Sequence, residues 1–177
     1  MPHIGTDYAG PVTMSHKGHA YIEPNFLSAG RTGQVFASLP AAEGIDVLEN
    51  GMFAKYDYAA GEVNRKTNNN CPWFLVFNEE KLYDERHQMH RDFAWTRADF
   101  YDKQLYPRLL APVLGDVFTT NAVVDGEYSR GDVLGVDPDT GYLKKDENGF
   151  IKVASCYTMP DGQPGLKVQV VKNQPAV

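Results

Sequence analysis

Apolar positions in this chain come in short runs, cut every few residues by glycine, proline, asparagine or aspartate. "QVFASLP" from Gln34 and "GIDVLENGMFAKYDYAAGEVN" from Gly44 are of this kind. "CPWFLVFNE" from Cys71 is continuously apolar over the length of a strand, the pattern of a buried strand. From Asp116 onward, "DVFTTNAVV", "GDVLGV", "YLKK", "FIKVASCY" and "LKVQVVK" are rich in β-branched and aromatic residues and are separated by turn-forming clusters. That alternation predicts an antiparallel meander with strands near 131–136, 142–145, 150–157 and 166–172. Asn148 and Gly149 tolerate positive φ and are expected to make one of its hairpin turns.

Two stretches break the pattern. Residues 1–34 are rich in glycine and proline and keep no helical or strand period, yet they carry Tyr8, Tyr21, Ile22, Phe26 and Leu27. Pure linkers lack such anchors. The segment therefore reads as an extended arm that orders against a neighbouring subunit, with a flexible tail as the alternative. Residues 79–106 are charged and aromatic with no glycine or proline, and read as a long excursion from the sheet, with one or two helical turns between Arg97 and Tyr106. The expected fold is all-β, mainly an antiparallel barrel or sandwich, formed by residues 35–177 behind the arm at 1–34, with a short helical or irregular excursion near 79–106.

Within the sheet pattern lies an echo. "GMFAKYDYAAGEV" (51–63) and "GDVLGVDPDTGYL" (131–143) align at a constant offset of 80, matching Gly51 to Gly131, Asp57 to Asp137, Gly61 to Gly141 and Val63 to Leu143. Each reads as glycine, strand, aspartate, glycine, strand. Aspartate bonds its own backbone two residues on, and glycine supplies the left-handed position that ends the turn. Equivalent hairpins are expected. "ENG" recurs too, at Glu49–Gly51 and Glu147–Gly149, each time before a strand.

Composition narrows the function classes. The 177 residues bound one domain or a compact domain with appendages, long enough to bury a core without disulfides. Net charge is −6 and lysine and arginine form no run, which argues against nucleic-acid binding. No apolar stretch approaches the roughly 20 residues of a membrane span. The first residues lack the basic start and apolar run of a signal peptide. With only Cys71 and Cys156, the chain is expected to be intracellular with reduced thiols.

Candidate chemistry is thin. Asp137 and Asp139 in "DPDTG" suggest calcium, but the twelfth position of a helix-flanked calcium loop would be Asn148 instead of glutamate, so a plain tight turn is expected. His87 and His90 would share a helix face, and His16 and His19 sit in the arm; neither pair has a ligand partner at a recognised spacing, and both read as solvated. Cys71 and Cys156 read as small hydrophobes. "SAGRTGQ" from Ser28 lacks the Gly-Lys-Ser/Thr ending of a phosphate loop and reads as a plain loop. The sequence has no nucleophile elbow or dinucleotide fingerprint. Neither enzyme activity nor a cofactor or metal is expected. Trp95, Tyr101, Tyr106 and Arg108 are instead residue types that concentrate energy at interfaces.

"ENGMFAKYDYAAGEVN", "LGDVFTTNAV" and "GDVLGVDPDTGYLKK" resemble segments of small structural proteins of tailed bacteriophages, in particular the head decoration or cement proteins. The resemblance implies a β-rich fold, an extended N-terminal segment reaching across capsid subunits, no catalytic residues, and a homo-oligomer, often a trimer. It implies the major capsid protein as partner and the capsid surface as location, after synthesis in the host cytoplasm. The runner-up readings are another virion component or a glycan-binding β domain.

Overall fold

The structure is a computed structural model that describes residues 5–15, 20–32, 35–36, 38–66, 71–78, 95–96 and 106–174. The arm contributes β1 (Asp7–Tyr8), β2 (Val12–Met14), β3 (Ile22–Phe26) and a one-turn helix α1 (Ser28–Thr32). Next come β4 (Val35–Phe36), β5 (Val47–Leu48), β6 (Phe53–Asp57), β7 (Glu62–Asn64) and β8 (Phe74–Val76). They are followed by β9 (Trp95–Thr96), β10 (Leu109–Leu110), β11 (Val117–Thr120) and β12 (Gly126–Tyr128). The last are β13 (Val133–Val136), β14 (Leu143–Lys145), β15 (Ile151–Thr158) and β16 (Pro164–Val170). The protein is thus all-β, and every strand ladder is antiparallel.

The echo in the sequence is part of a larger repeat. One sheet runs β4-β10-β8-β6-β7; the other contains β11-β16-β15-β13-β14 in the same order. The registers match pair by pair. Tyr56 faces Val63 as Val136 faces Leu143, and Phe53 faces Leu75 as Val133 faces Lys152. Leu109 faces Val76 and Phe36, as Val168 faces Val153 and Phe118. Individual hydrogen bonds recur as well: Gly51 N–H to Val76 O matches Gly131 N–H to Val153 O, and Val76 N–H to Met52 O matches Val153 N–H to Asp132 O. In each unit the chain just beyond the first strand returns beside the third, as a parallel bridge at Ala41–Val63 and at Val123–Leu143. Each sheet therefore curls until its two edges touch at one bridge, without a continuous ladder sealing it.

Two further short strands occupy matching places on the units. β2 pairs with β12, placing Val12 opposite Tyr128; β9 pairs with β5, placing Trp95 opposite Leu48. Leu48 and Tyr128 are themselves counterparts, 80 residues apart. The strand ahead of the first unit thus serves the second, whereas β9, which lies between β8 and β10 within the first unit, serves the first.

Packing explains why one copy is more apolar than the other. The inward positions of the first unit, including Ala54, Tyr56, Val63, Phe74, Val76 and Leu109, form one core. Their counterparts Leu134, Val136, Leu143, Ile151, Val153 and Val168 belong to the other. On the outward face the units differ. Phe53, Leu75 and Leu110 are buried and belong to the second unit's core, whereas their counterparts Val133, Lys152 and Gln169 face outward. "FLV" in β8 is apolar throughout because both its faces are covered; "IKVAS" in β15 alternates because one face meets water.

Three expectations need correction. The last four strands lie where predicted but do not form a meander: β15 pairs with β13, leaving β14 at the edge. Accordingly, Asn148-Gly149 does not close a hairpin. Gly149 is needed for closeness, since a Cβ there would stand 1.9 Å from the Leu134 carbonyl oxygen as the chain crosses β13. "SAGRT" is a helical turn instead of a plain loop, because the Asp116 carboxylate accepts from both the Ser28 N–H (3.0 Å) and its hydroxyl (2.6 Å) and so caps it from 88 residues away.

Candidate interaction surface

The two hairpin turns are built alike. Gly61 (φ 72°) and Gly141 (φ 78°) each donate N–H to the aspartate carbonyl that opens the turn, Asp57 at 2.8 Å and Asp137 at 2.7 Å. The Asp57 carboxylate accepts from the Ala59 and Ala60 N–H groups; Asp137 accepts from the Thr140 N–H and hydroxyl. Lys144 places its ammonium 2.9 Å from Asp137, and Lys66 lies 2.7 Å from Asp139. The Lys144 pair, more than any other contact, holds the Asp137 carboxyl below its usual pKa. The Asp132 carboxyl is held low first by Lys145, 2.8 Å away. The acidic residues of "DPDTG" are thus committed to lysines and the turn. Among the described residues no group of three or more His, Cys, Asp or Glu could hold a metal ion.

The second turn also locks the units together. Gly141 accepts from the Phe53 N–H at 2.8 Å, and Arg65 donates to the Thr140 carbonyl at 3.1 Å. The Tyr142 hydroxyl bonds Glu49, and burial followed by that carboxylate pushes its pKa up. Burial likewise raises Tyr56 and Tyr128 to about 12, which keeps both neutral and protonated.

The arm anchors are placed on the chain's own β units. Tyr8 pairs with Cys156 and packs on the second core; its pKa is raised chiefly by burial. Tyr21 is tied through its backbone, its N–H donating to Asn121 and its carbonyl accepting from Thr120, both at 2.6 Å. Ile22 packs on the core and Leu27 is buried in it. Phe26 stays exposed, with the Arg31 guanidinium 4.3 Å from its ring centre. Of the excursion candidates, Trp95 is described only by its backbone pairing with Leu48, and Tyr101 lies outside the described residues. Tyr106 is exposed, and half-buried Arg108 donates its N–H to Asn78 at 2.9 Å. His16, His19, His87, His90 and the helical turns expected at 97–106 also fall outside the described residues, except Tyr106, which belongs to no helix. Cys71 and Cys156 are buried free thiols.

A cluster that sequence reading missed lies at the open end of the first unit. Phe36, Tyr56 and Phe74 pack with ring centres 5.1–6.0 Å apart, and Tyr58 joins Tyr56 at 5.7 Å. Phe36 is 40% exposed and Tyr58 71%. The residues are far apart in sequence, so only the curl of the sheet brings them together. Between the units, a shallow cleft of about 260 Å³ is lined by Lys55, Cys71, Trp73, Asp146, Phe150 and others. That is below the usual range of small-molecule sites. Lys55 lies 4.7 Å over the Trp73 ring.

No family model, curated protein or solved structure matches the chain. Among the described residues, no helix is long and apolar enough to cross a membrane.

Proposed function

We propose that this chain is a structural protein of a tailed-phage particle, bound to the outside of the capsid and stabilising it by bridging neighbouring subunits. The observation that carries the reading is a doubled β body that exposes several large aromatic side chains. Phe36 and Tyr58 are exposed in one cluster, and Phe26 and Tyr106 are exposed as well, while the charged side chains of the paired turns are spent on one another. Large rings offer much contact area at low entropic cost, which suits an assembly surface. The sequence segments that resemble decoration proteins include both repeated hairpins, and the net charge of −6 suits an outward position better than contact with packaged genome. Because the described arm strands already pair within the chain, bridging is assigned to the exposed aromatics of the body more than to a free strap.

A ligand-binding β domain is the second reading, favoured by the Trp73 cleft. One experiment separates them. The full chain is mixed with capsids assembled without it, and binding and capsid melting are measured. Saturable binding that raises the melting temperature, and that Phe26→Ala with Tyr106→Ala weakens, is expected. Failure to bind, together with glycan binding lost in Trp73→Ala, would favour the second reading.

A further inference from the structure

The repeat exposes a difference between the units that points to a contact between copies. In the second unit the outer edge of β11 is covered by β3, with Phe26 opposite Val117 and Ile22 opposite Thr120. Phe118 and Thr120 are fully buried beneath it. The corresponding edge of the first unit is β4 and Ser38, and among the described residues no strand pairs with its outer side. Phe36, the counterpart of Phe118, is 40% exposed, and Ser38, the counterpart of Thr120, is exposed.

The chain does not supply the missing strand from the matching place. β2 and β9 correspond at an offset of 83, Val12 with Trp95. Carried on, that offset sets Ile22–Phe26 against 105–109. There Arg108 already accepts from the Phe77 N–H, and Leu109 pairs with Val76 and, on the inner side of β4, with Phe36. Among the described residues, that correspondence thus supplies no strand for this edge. An edge strand is complementary to itself in antiparallel pairing. Residues 35–38, "VFAS", carry no charge, so the edge can meet its own copy without like-charge repulsion despite the net −6.

We propose that the outer edge of β4 pairs antiparallel with the same edge of a second copy, and that Phe36 and Tyr58 of each copy cover the open end of the other's first unit. The contact does not depend on the capsid reading, because it uses the protein alone.

Sedimentation equilibrium of the full chain, from low to high micromolar, tests it. A reversible dimer is expected. Phe36→Lys should weaken dimerisation by at least about tenfold. Tyr58→Lys, at a side chain too exposed to upset the fold, should weaken it as well. Val171→Lys, at an exposed apolar residue elsewhere, should leave the dimer intact, and circular dichroism should be the same for all variants. A monomer at every concentration, or a dimer that survives both the Phe36 and Tyr58 substitutions, overturns the proposal.

Discussion

Gly61 and Gly141 occupy equivalent turns and share a left-handed backbone, yet their surroundings differ. A Cβ on Gly61 would meet nothing within 4 Å, whereas one on Gly141 would stand 2.7 Å from the Phe53 carbonyl oxygen. Gly61→Ala should therefore cost only the left-handed strain, about 1–2 kcal/mol. Gly141→Ala should cost about 3 kcal/mol or more, because backbone must also move. Chemical denaturation of the two variants checks the contrast, and equal losses would contradict it. The ion pairs give a second prediction at this scale. The folded Asp137 pKa lies below its unfolded value, so its contribution is present above about pH 4 and is lost as pH falls through the depressed value. Lys144→Met should lower stability at neutral pH only slightly, because solvent screens an exposed ammonium. The difference should vanish near the acid end of a pH titration of melting temperature; a difference that persists or grows there would mean the lysine acts through packing. Individual turn residues were legible in the sequence because Asp and Gly act locally. Gly149 was not: its role comes from Leu134, with which it makes contact only when the chain crosses β13.

Among the elements, the arm carries the clearest prediction. β1, β2 and β3 lie on β15, β12 and β11, and Leu27 is buried at the end of β3. β1 takes its place where a bulge between Val153 and Ser155 bends β15, beyond its pairing with β13. Leu27→Ala should cost about 2–5 kcal/mol, the range for a buried leucine. Amides of Ile22 and Glu23 should exchange with protection close to that of β11. Unprotected arm amides and an unchanged melting temperature would show that the arm rests loosely on the body. Sequence pattern located body strands such as β8, β11, β13 and β15 from their β-branched runs bounded by turn residues, but it missed β1, β2 and β3 in the arm and β12 in a stretch read as a turn cluster. It could not order them, since pairing partners are set by crossings between distant segments. Nor could it foresee α1, whose capping carboxylate at Asp116 comes from another part of the chain.

In the whole molecule, the repeat decides how stability is shared. Phe53, Leu75 and Leu110 put the outer face of the first unit into the core of the second, so neither unit should unfold alone. Phe53→Ala should cost about 3–5 kcal/mol while keeping one calorimetric transition. Two separated transitions in the unaltered protein would contradict this coupling. Only the hairpin part of the repeat was visible in sequence, at its fixed offset of 80. Elsewhere the offset shifts, and few identities survive beyond Phe36 and Phe118, because one copy's outer face is buried and the other's meets water. Of the exposed aromatics, Phe26 and Tyr106 were named from the sequence, whereas Phe36 and Tyr58 were missed because only the curl of the sheet brings them together around Tyr56 and buried Phe74. The most direct test of the account is cryo-electron microscopy of particles from the source of this chain. The account predicts density on the outer capsid surface, resolved into two similar β lobes per chain and touching neighbouring capsid subunits. Density confined to the particle interior, or particles that lack the chain altogether, would contradict it.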